Sequence, residues 1–588
     1  MSKKLRRAFS PGLVAAQYAV VHLTLRYFYL RVYVIGMKSS SSSKRKASLT
    51  TSPSKRPAIE KDGASAHDES KKAEKGDVVL RQFYPPEMTN ARAMQYNNNE
   101  LKRPIEKLHD AINDTREDRG NIKTRSAVIH WLKCDLRLQD NTALHLAAER
   151  ARESDVPLIC MYIISPQDFQ AHLVSPARVD FILRTLRVLK KDLEELDIPL
   201  YVEIVTRRRE IPNRILELAN EWGASHIYAN IEYEVDELQR EASMTRKAAE
   251  KGVVFTVVRD TCVVEPGRLS TKTTGNQYAV YTPWYRAWMT YIHEHPEALI
   301  LHPPPSKNPR TAREKFEYIF EQDIPEVLEN KRLGDEEMER LRSLWPAGEH
   351  EARKQLVEFI GERIGEYGTM RNIPSANGTS MLSVHFAVGT LSARTAIRRA
   401  RDTNGGSRLD TGNKGIMTWI SEVAWRDFYR HVLAHWPYIC MNKPFKLEYA
   451  NIKWEYNDEH FAAWCEGRTG YPIVDAAMRQ LAHTAYMHNR CRMIVASFLA
   501  KDLLLDWRLG ERFFMKHLID GDFASNNGGW GFSSSSGVDP QPYFRIFNPL
   551  LQSEKFDIEG EYIRKWVPEL REVRGKAIHD PYGRLEEK

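Results

Sequence analysis

The stretch Trp419-Ile-Ser-Glu422-Val-Ala-Trp425-Arg426 sets a carboxylate, an indole and a guanidinium at i, i+3 and i+4. On a helix those three positions share one face. Such a group suits a nucleobase, with carboxyl on an imide edge, ring on a π-face and arginine on a phosphate; an ordinary ion pair over an aromatic satisfies the same pattern. Asn489, Arg492 and Met493 repeat the arrangement ahead of the apolar Ile494, Val495, Phe498 and Leu499, and polar groups facing inward from such a helix need partners. Gly378-Thr379-Ser380-Met381-Leu382-Ser383 places three hydroxyls just before a helical pattern, which fits a phosphate or a helix cap. The run from Asp520-Gly521-Asp522 to Asn526-Asn527-Gly528-Gly529-Trp530-Gly531-Phe532 reads as an irregular glycine-rich loop where backbone can approach a flat cofactor closely. Trp454, Trp507 and Trp530 lie nearby in the chain; core packing accounts for any one of them alone.

The elements that must position these residues change along the chain. Apolar, β-branched runs at 127–132, 158–164, 200–205, 226–229 and 253–258 alternate with helical-period segments, clearest over 177–196. That alternation predicts an α/β domain with a parallel, Rossmann-like sheet over 125–260. No GxGxxG turn follows any of the runs. A linker marked by Pro303-Pro304-Pro305 is expected over 261–350, and an all-α domain over 351–588. Residues 1–124 are expected to be a basic leader and a disordered arm. The first 36 residues carry Arg and no acid, with the apolar run broken by His22, Arg26 and Arg31, which argues against a membrane span and for a transit peptide, or for sequence upstream of a start at Met37. Lys44-Arg45-Lys46 and Lys55-Arg56-Pro57 form a nuclear-import pattern. A nuclear and mitochondrial distribution follows as the expectation.

Net charge is +8, but residues 1–59 hold twelve Lys/Arg and no Asp/Glu, so the remaining 74 bases face 78 acids. Nucleic-acid binding by the folded part therefore needs a local patch. The six cysteines show neither CxxC pairing nor zinc spacing, so buried free thiols are expected and a metal is not.

Taken in order, these blocks resemble the photolyase/cryptochrome family, and most closely its class I cyclobutane pyrimidine dimer photolyases. The resemblance spans about residues 126–580. It rests on Asp135-Leu136-Arg137-Leu138-Gln139-Asp140-Asn141, Gly378-Thr379-Ser380, Glu422 with Trp425-Arg426, Arg468-Thr469-Gly470-Tyr471-Pro472, Met487-His488-Asn489-Arg490, Asn526 to Trp530, and Pro542-Tyr543-Phe544-Arg545. It implies FAD in the helical domain, with Tyr367, Thr379, Ser380, Met381 and Ser383 near its phosphates. Trp419, Arg492, Asp520, Asp522 and Asn526 would surround the ring, with Arg492 paired to Asp520 and Asn526 at N5. It implies light-driven electron transfer from reduced flavin to a dimer flipped out of UV-damaged DNA. Glu422 and Asn489 would bond the dimer, Trp425 and Met493 would pack on it, and Arg426 and Arg490 would meet phosphates.

Phe532 replaces a family Trp, leaving a smaller stacking ring, while Trp530, Trp507 and Trp454 match the tryptophan chain that reduces the flavin. His172, Asp236, Glu237 and Cys440 match a folate antenna site for methenyltetrahydrofolate, with a deazaflavin as the alternative, since Asp236 and Met441 depart from the pattern; the motif from Trp131 to Arg137 also departs, at Lys133 and Cys134. The implied protein is a monomer that does not enter a membrane. A cryptochrome photoreceptor or a (6-4) photolyase is the competing reading; Met487-His488-Asn489 lacks the His pair of the latter, and the former usually carries a long C-terminal extension.

Overall fold

The computed structural model describes residues 81–272 and 275–585. The leader, the low-complexity stretch and both basic clusters lie outside the described residues.

All five apolar runs become strands: β1 (Ala127–Leu132), β2 (Leu158–Ile164), β3 (Leu200–Ile204), β4 (Ala224–Asn230) and β5 (Val254–Val258). They pair in parallel in the order β3-β2-β1-β4-β5. β1 and β4 are buried along their whole length, as continuous apolar runs covered on both faces must be. The expected helix appears as Pro176–Glu195, opened by Pro at its first turn and by Ser175, whose side chain accepts from Arg178 N. Strand order reverses between β1 and β4, and the loops after β1 (Arg137, Asp140) and β5 (Asp260) meet Arg394 from the helical half.

Three expectations need correction. Part of the presumed disordered arm is folded: α1 (Asn90–Asn97), α2 (Pro104–Asp114) and a short helix at Arg116–Gly120. Ile105, Leu108 and Ala111 form a buried stripe on α2, which packs on α3 (Val235–Glu250). Averaged over the segment, polar composition hid that short periodicity. The linker is likewise partly core. Within α4 (Tyr281–Glu294), Trp284 and Trp288 are fully buried, and their indoles donate to His431 Nδ1 and Asp427 Oδ2, each at 3.2 Å.

The glycine-rich stretch is not a loop but a helix, Phe523–Ser534, capped by Asp522. Its glycines serve close packing: a Cβ on Gly528 would lie 2.2 Å from the Tyr429 ring.

Among the described residues all six cysteines are free, four of them buried. No described helix is long and apolar enough to cross a membrane.

Candidate flavin, lesion and antenna sites

α5 (Lys414–His435) begins at Asn413, whose side chain accepts from Gly415 N and Ile416 N. It carries Glu422 and Trp425 as the sequence spacing requires. Trp425 stacks flat on Tyr281, centroids 3.6 Å apart and planes 7° apart, which fixes the indole as a rigid platform. Glu422 accepts from Arg371 Nη1 at 2.5 Å. Burial raises the Glu422 pKa, only partly opposed by Arg371 and Arg490. Yet 28% of the Glu422 side chain and 26% of Arg371 stay accessible, so these groups line a recess rather than a closed core.

Asn489 starts α6 (Asn489–Ser497) and is exposed. Next to it, Arg490 donates to Asn372 Oδ1 at 2.8 Å and lies over the Phe556 ring. Met493 is half-buried one turn along. Sequence reasoning missed Arg371 and Asn372; no local pattern marks them, and the signal was only their place between Tyr367 and Gly378.

On the same helix Arg492 donates to Asp520 Oδ2 at 2.8 Å and to Met487 O at 2.8 Å, the pair that the resemblance implied. Arg492 keeps 25% of its side chain accessible. Asn526 is buried and donates through Nδ2 to Glu511 O at 2.9 Å. That bond assigns the amide orientation and leaves Oδ1 as an acceptor.

Met381 adopts a left-handed φ of 56°, Tyr367 is buried, and Thr379, Ser380 and Ser383 line up ahead of the helix Ser383–Val388, whose start has no side-chain cap. Arg363 reaches Asn377 Oδ1 at 2.7 Å and Thr379 O at 3.3 Å, a basic group that sequence reasoning also missed.

FAD needs donors for its phosphates. Arg363 Nε is buried without a hydrogen-bond partner. Among the described residues the hydroxyls of Ser380 and Ser383 have none either. Hydroxyls and a guanidinium with spare donors suit phosphates, and Asn526 and the accessible Arg492 offer a polar edge to a ring. The residues fit the group.

Other expected residues sit differently. Arg426, expected at a phosphate, turns inward: it donates to Thr261 O and to Phe386 O and faces Asp522 at 4.0 Å. Its Nε has no hydrogen-bond partner, but protein carbonyls take both terminal nitrogens, so the guanidinium serves packing and the phosphate assignment is withdrawn. Asp522 is engaged by Arg430 and by Ser525 N. Trp419 is a core residue, 5.4 Å from Phe359. Trp530 and Trp507 are buried and Trp454 is half-buried, in one cluster. Phe532 is half-buried.

The four residues expected at an antenna come together at the carboxyl end of the sheet. His172 Nε2 lies 3.0 Å from Asp236 and 2.8 Å from Glu237, and Nδ1 lies 3.2 Å from Glu234. Cys440 is buried in the adjoining apolar cluster with Ala171 and Val235. Burial and the Asp236 charge push the Glu237 carboxyl up to about 8. Burial pulls His172 down, but Glu237, Asp236 and Glu234 outweigh it and hold the imidazole well above its ordinary value.

His172, Glu234, Asp236 and Glu237 are spaced as metal ligands can be. Arg208 and Arg240 already reach these carboxylates, so the negative charge that would draw a cation is largely balanced. Glu234 and Arg208 were not foreseen, because neither falls in a pattern that the chain repeats.

Residues 128–307 match the family DNA photolyase, and residues 419–588 match the FAD binding domain of DNA photolyase. A deoxyribodipyrimidine photo-lyase of Neurospora crassa is 60% identical over 93% of this chain and 91% of its own length. A mitochondrial deoxyribodipyrimidine photo-lyase of Saccharomyces cerevisiae is 36% identical over 83% and 88%. A solved bacterial class III photolyase from Agrobacterium tumefaciens superposes with a TM-score of 0.68 at 32% identity, covering 79% of this chain and 90% of that one. With both halves of the molecule matched in order, the chain belongs to the DNA photolyase family.

Proposed function

We propose that this chain repairs cyclobutane pyrimidine dimers in UV-damaged DNA under light. The observation that carries the reading is Glu422: a carboxyl whose pKa burial raises, accessible in a recess beside Trp425, Arg371 and Arg490. FAD, when bound, supplies the photoexcited electron. Thr379, Ser380, Ser383 and Arg363 hold its phosphates, and Arg492, Asp520 and Asn526 hold its ring. Glu422 would donate to a dimer carbonyl when its carboxyl is protonated, a state that burial favours, and such a donor is worth most in a recess that excludes water. Trp425, fixed on Tyr281, and Met493 give the flipped dimer an apolar wall, and Asn489 adds a hydrogen bond. Flipping costs a few kcal/mol, least at an already distorted lesion.

Arg490 favours the phosphates. Tyr543 (52% exposed) and Phe544 (70%) beside Arg545 suit stacking against bases around the lesion. Trp530, Trp507 and Trp454 carry an electron inward from the surface. The antenna is read as a pterin: Asp236 Oδ1 and Glu237 Oε2 are buried acceptors without partners, suited to the adjacent N–H donors of an aminopterin. A deazaflavin edge would set a carbonyl against the ionised Asp236. The basic N-terminal segment directs the protein to mitochondrion and nucleus, which fusions started at Met1 and at Met37 distinguish.

Repair of purified chain, light against dark, on both lesion types tests the activity; denaturing extraction is expected to release FAD. The Glu422→Ala variant is expected to bind dimer-containing DNA within about tenfold (~1.4 kcal/mol) of the parent and to repair severalfold fewer dimers per absorbed photon. Undiminished yield at saturating substrate would remove Glu422 from the reaction.

A further inference from the structure

Residues 81–88 run across the mouth of the antenna cluster and are tied to it from several sides. Arg81 Nη2 donates to Cys440 O at 2.8 Å, and its guanidinium lies 3.3 Å from the Tyr84 ring centroid and 4.6 Å from that of Phe523. Gln82 Oε1 accepts from Gln170. Arg208, the guanidinium that pairs with Asp236, also donates to Phe83 O at 2.7 Å. The Tyr84 hydroxyl donates to Glu234 Oε2 at 3.2 Å, and its ring meets His172 edge-on at 5.6 Å. Beyond it, Glu87 pairs with Lys443 at 2.6 Å.

Tyr84 is 9% exposed and packs with Ala171, Val235 and Cys440. Its aromatic ring thus stands against His172 and Cys440, two of the four residues that the antenna reading assigns to a flat heterocycle, and its hydroxyl holds Glu234 beside them. Asp236 Oδ1 and Glu237 Oε2, the acceptors such a ligand needs, are sealed in the same arrangement, buried and unpartnered. Phe83, which is exposed, takes a left-handed φ of 59°, unfavourable for a residue with a side chain. The segment therefore holds its place through side-chain ties and not through a relaxed backbone. It also lies ahead of residue 128, where the match to the photolyase family begins.

We propose that Arg81–Tyr84 form a strap that fills the antenna site of this chain and must swing out to admit a planar, amine-bearing heterocycle of the pterin class. The inference rests on the pterin reading of the site. Closed, the strap satisfies Glu234 through the Tyr84 hydroxyl and stacks Arg81 on Tyr84; open, it exposes Asp236 and Glu237 to the ligand's N–H groups. Apparent affinity is then the intrinsic affinity multiplied by the fraction of chains with the strap open. Loosening the strap strengthens ligand binding. A strap that merely clamped a bound ligand would behave in the opposite way.

The test uses the full-length FAD-loaded chain and 5,10-methenyltetrahydrofolate as the probe. Amide hydrogen exchange over residues 81–88 is expected to speed up when the probe is added. Tyr84→Ala is expected to bind the probe about fivefold tighter by fluorescence titration. Tyr84→Phe, which keeps the ring and loses only the bond to Glu234, is expected to shift the same way by less. Slower or unchanged exchange on binding, or weaker binding by both variants, overturns the strap while leaving the pterin reading intact. No binding of the probe by parent or variants overturns both.

Discussion

Two buried clusters of carboxylates and arginines lie at the carboxyl end of one sheet, and they are built to opposite ends. Around Asp260 every group is met. Arg137 pairs with it, Arg394 lies 2.6 Å from it and 3.0 Å from Asp140, and Thr142 donates to it from both N and Oγ1. Burial opposes ionisation of Asp260, but Arg137 and Arg394 outweigh it and hold the carboxyl well below its usual range. Around His172 the same residue types leave Asp236 Oδ1, Glu237 Oε2 and Arg240 Nε without partners. A saturated network fastens Arg394 of the helical half to the sheet; an unsaturated one has donors and acceptors left for a ligand. Residue type does not separate structure from function here. Satisfaction of the polar atoms does.

The largest expected effect breaks the saturated side. Asp260→Ala leaves Arg137 and Arg394 facing a buried void and is expected to cost about 3–5 kcal/mol in denaturant unfolding. Because the folded pKa of Asp260 is depressed, its contribution is full above the unfolded value of about 4 and fades as pH falls toward the lower folded value. A parent stability flat through that acid range, or a cost under about 1 kcal/mol for the variant, would put Asp260 outside the network's energetics.

Glu237→Gln sharpens the other side and has the opposite sign. With its carboxyl pushed up to about 8, Glu237 keeps a proton that the unfolded chain has lost. Parent stability therefore falls as pH rises from about 4 to about 8. Removing that titration is expected to stabilise the protein by on the order of 4 kcal/mol at pH 8 and to change nothing at pH 4. Unfolding curves of parent and variant across that range check it; parallel curves would refute the burial of an ionisable Glu237.

The smallest effect carries the contrast to the DNA side. Arg490, whose guanidinium meets one side-chain amide oxygen at the recess, is expected to lower the salt slope of log K for damaged duplex by about 0.9 when changed to Ala. Arg426→Ala, at a site enclosed by protein carbonyls, is expected to leave the slope unchanged. Equal slopes for both variants would mean that inward and outward arginines cannot be told apart by their partners.

What the sequence determined by itself is what local periodicity records. β-Branched runs gave five strands because period and burial travel together along a parallel sheet, and the i, i+3 spacing placed Glu422 and Trp425 on one helical face whatever lay around them. Arg492 and Asp520 were named as a pair, though by family resemblance and not by spacing. Tertiary structure alone decided which partner each polar group met. Arg426 shares its helix with Glu422, yet turns to Thr261, 165 residues away. Asp520–Phe532 looks like a loop in composition, yet from Phe523 onward it is helix, with Gly528 packed against Tyr429. Arg81 finds Cys440, 359 residues along the chain. Hydrogen-bond demand is written in each residue, but the supply comes from whatever segment chain closure brings near, and no local pattern carries that information.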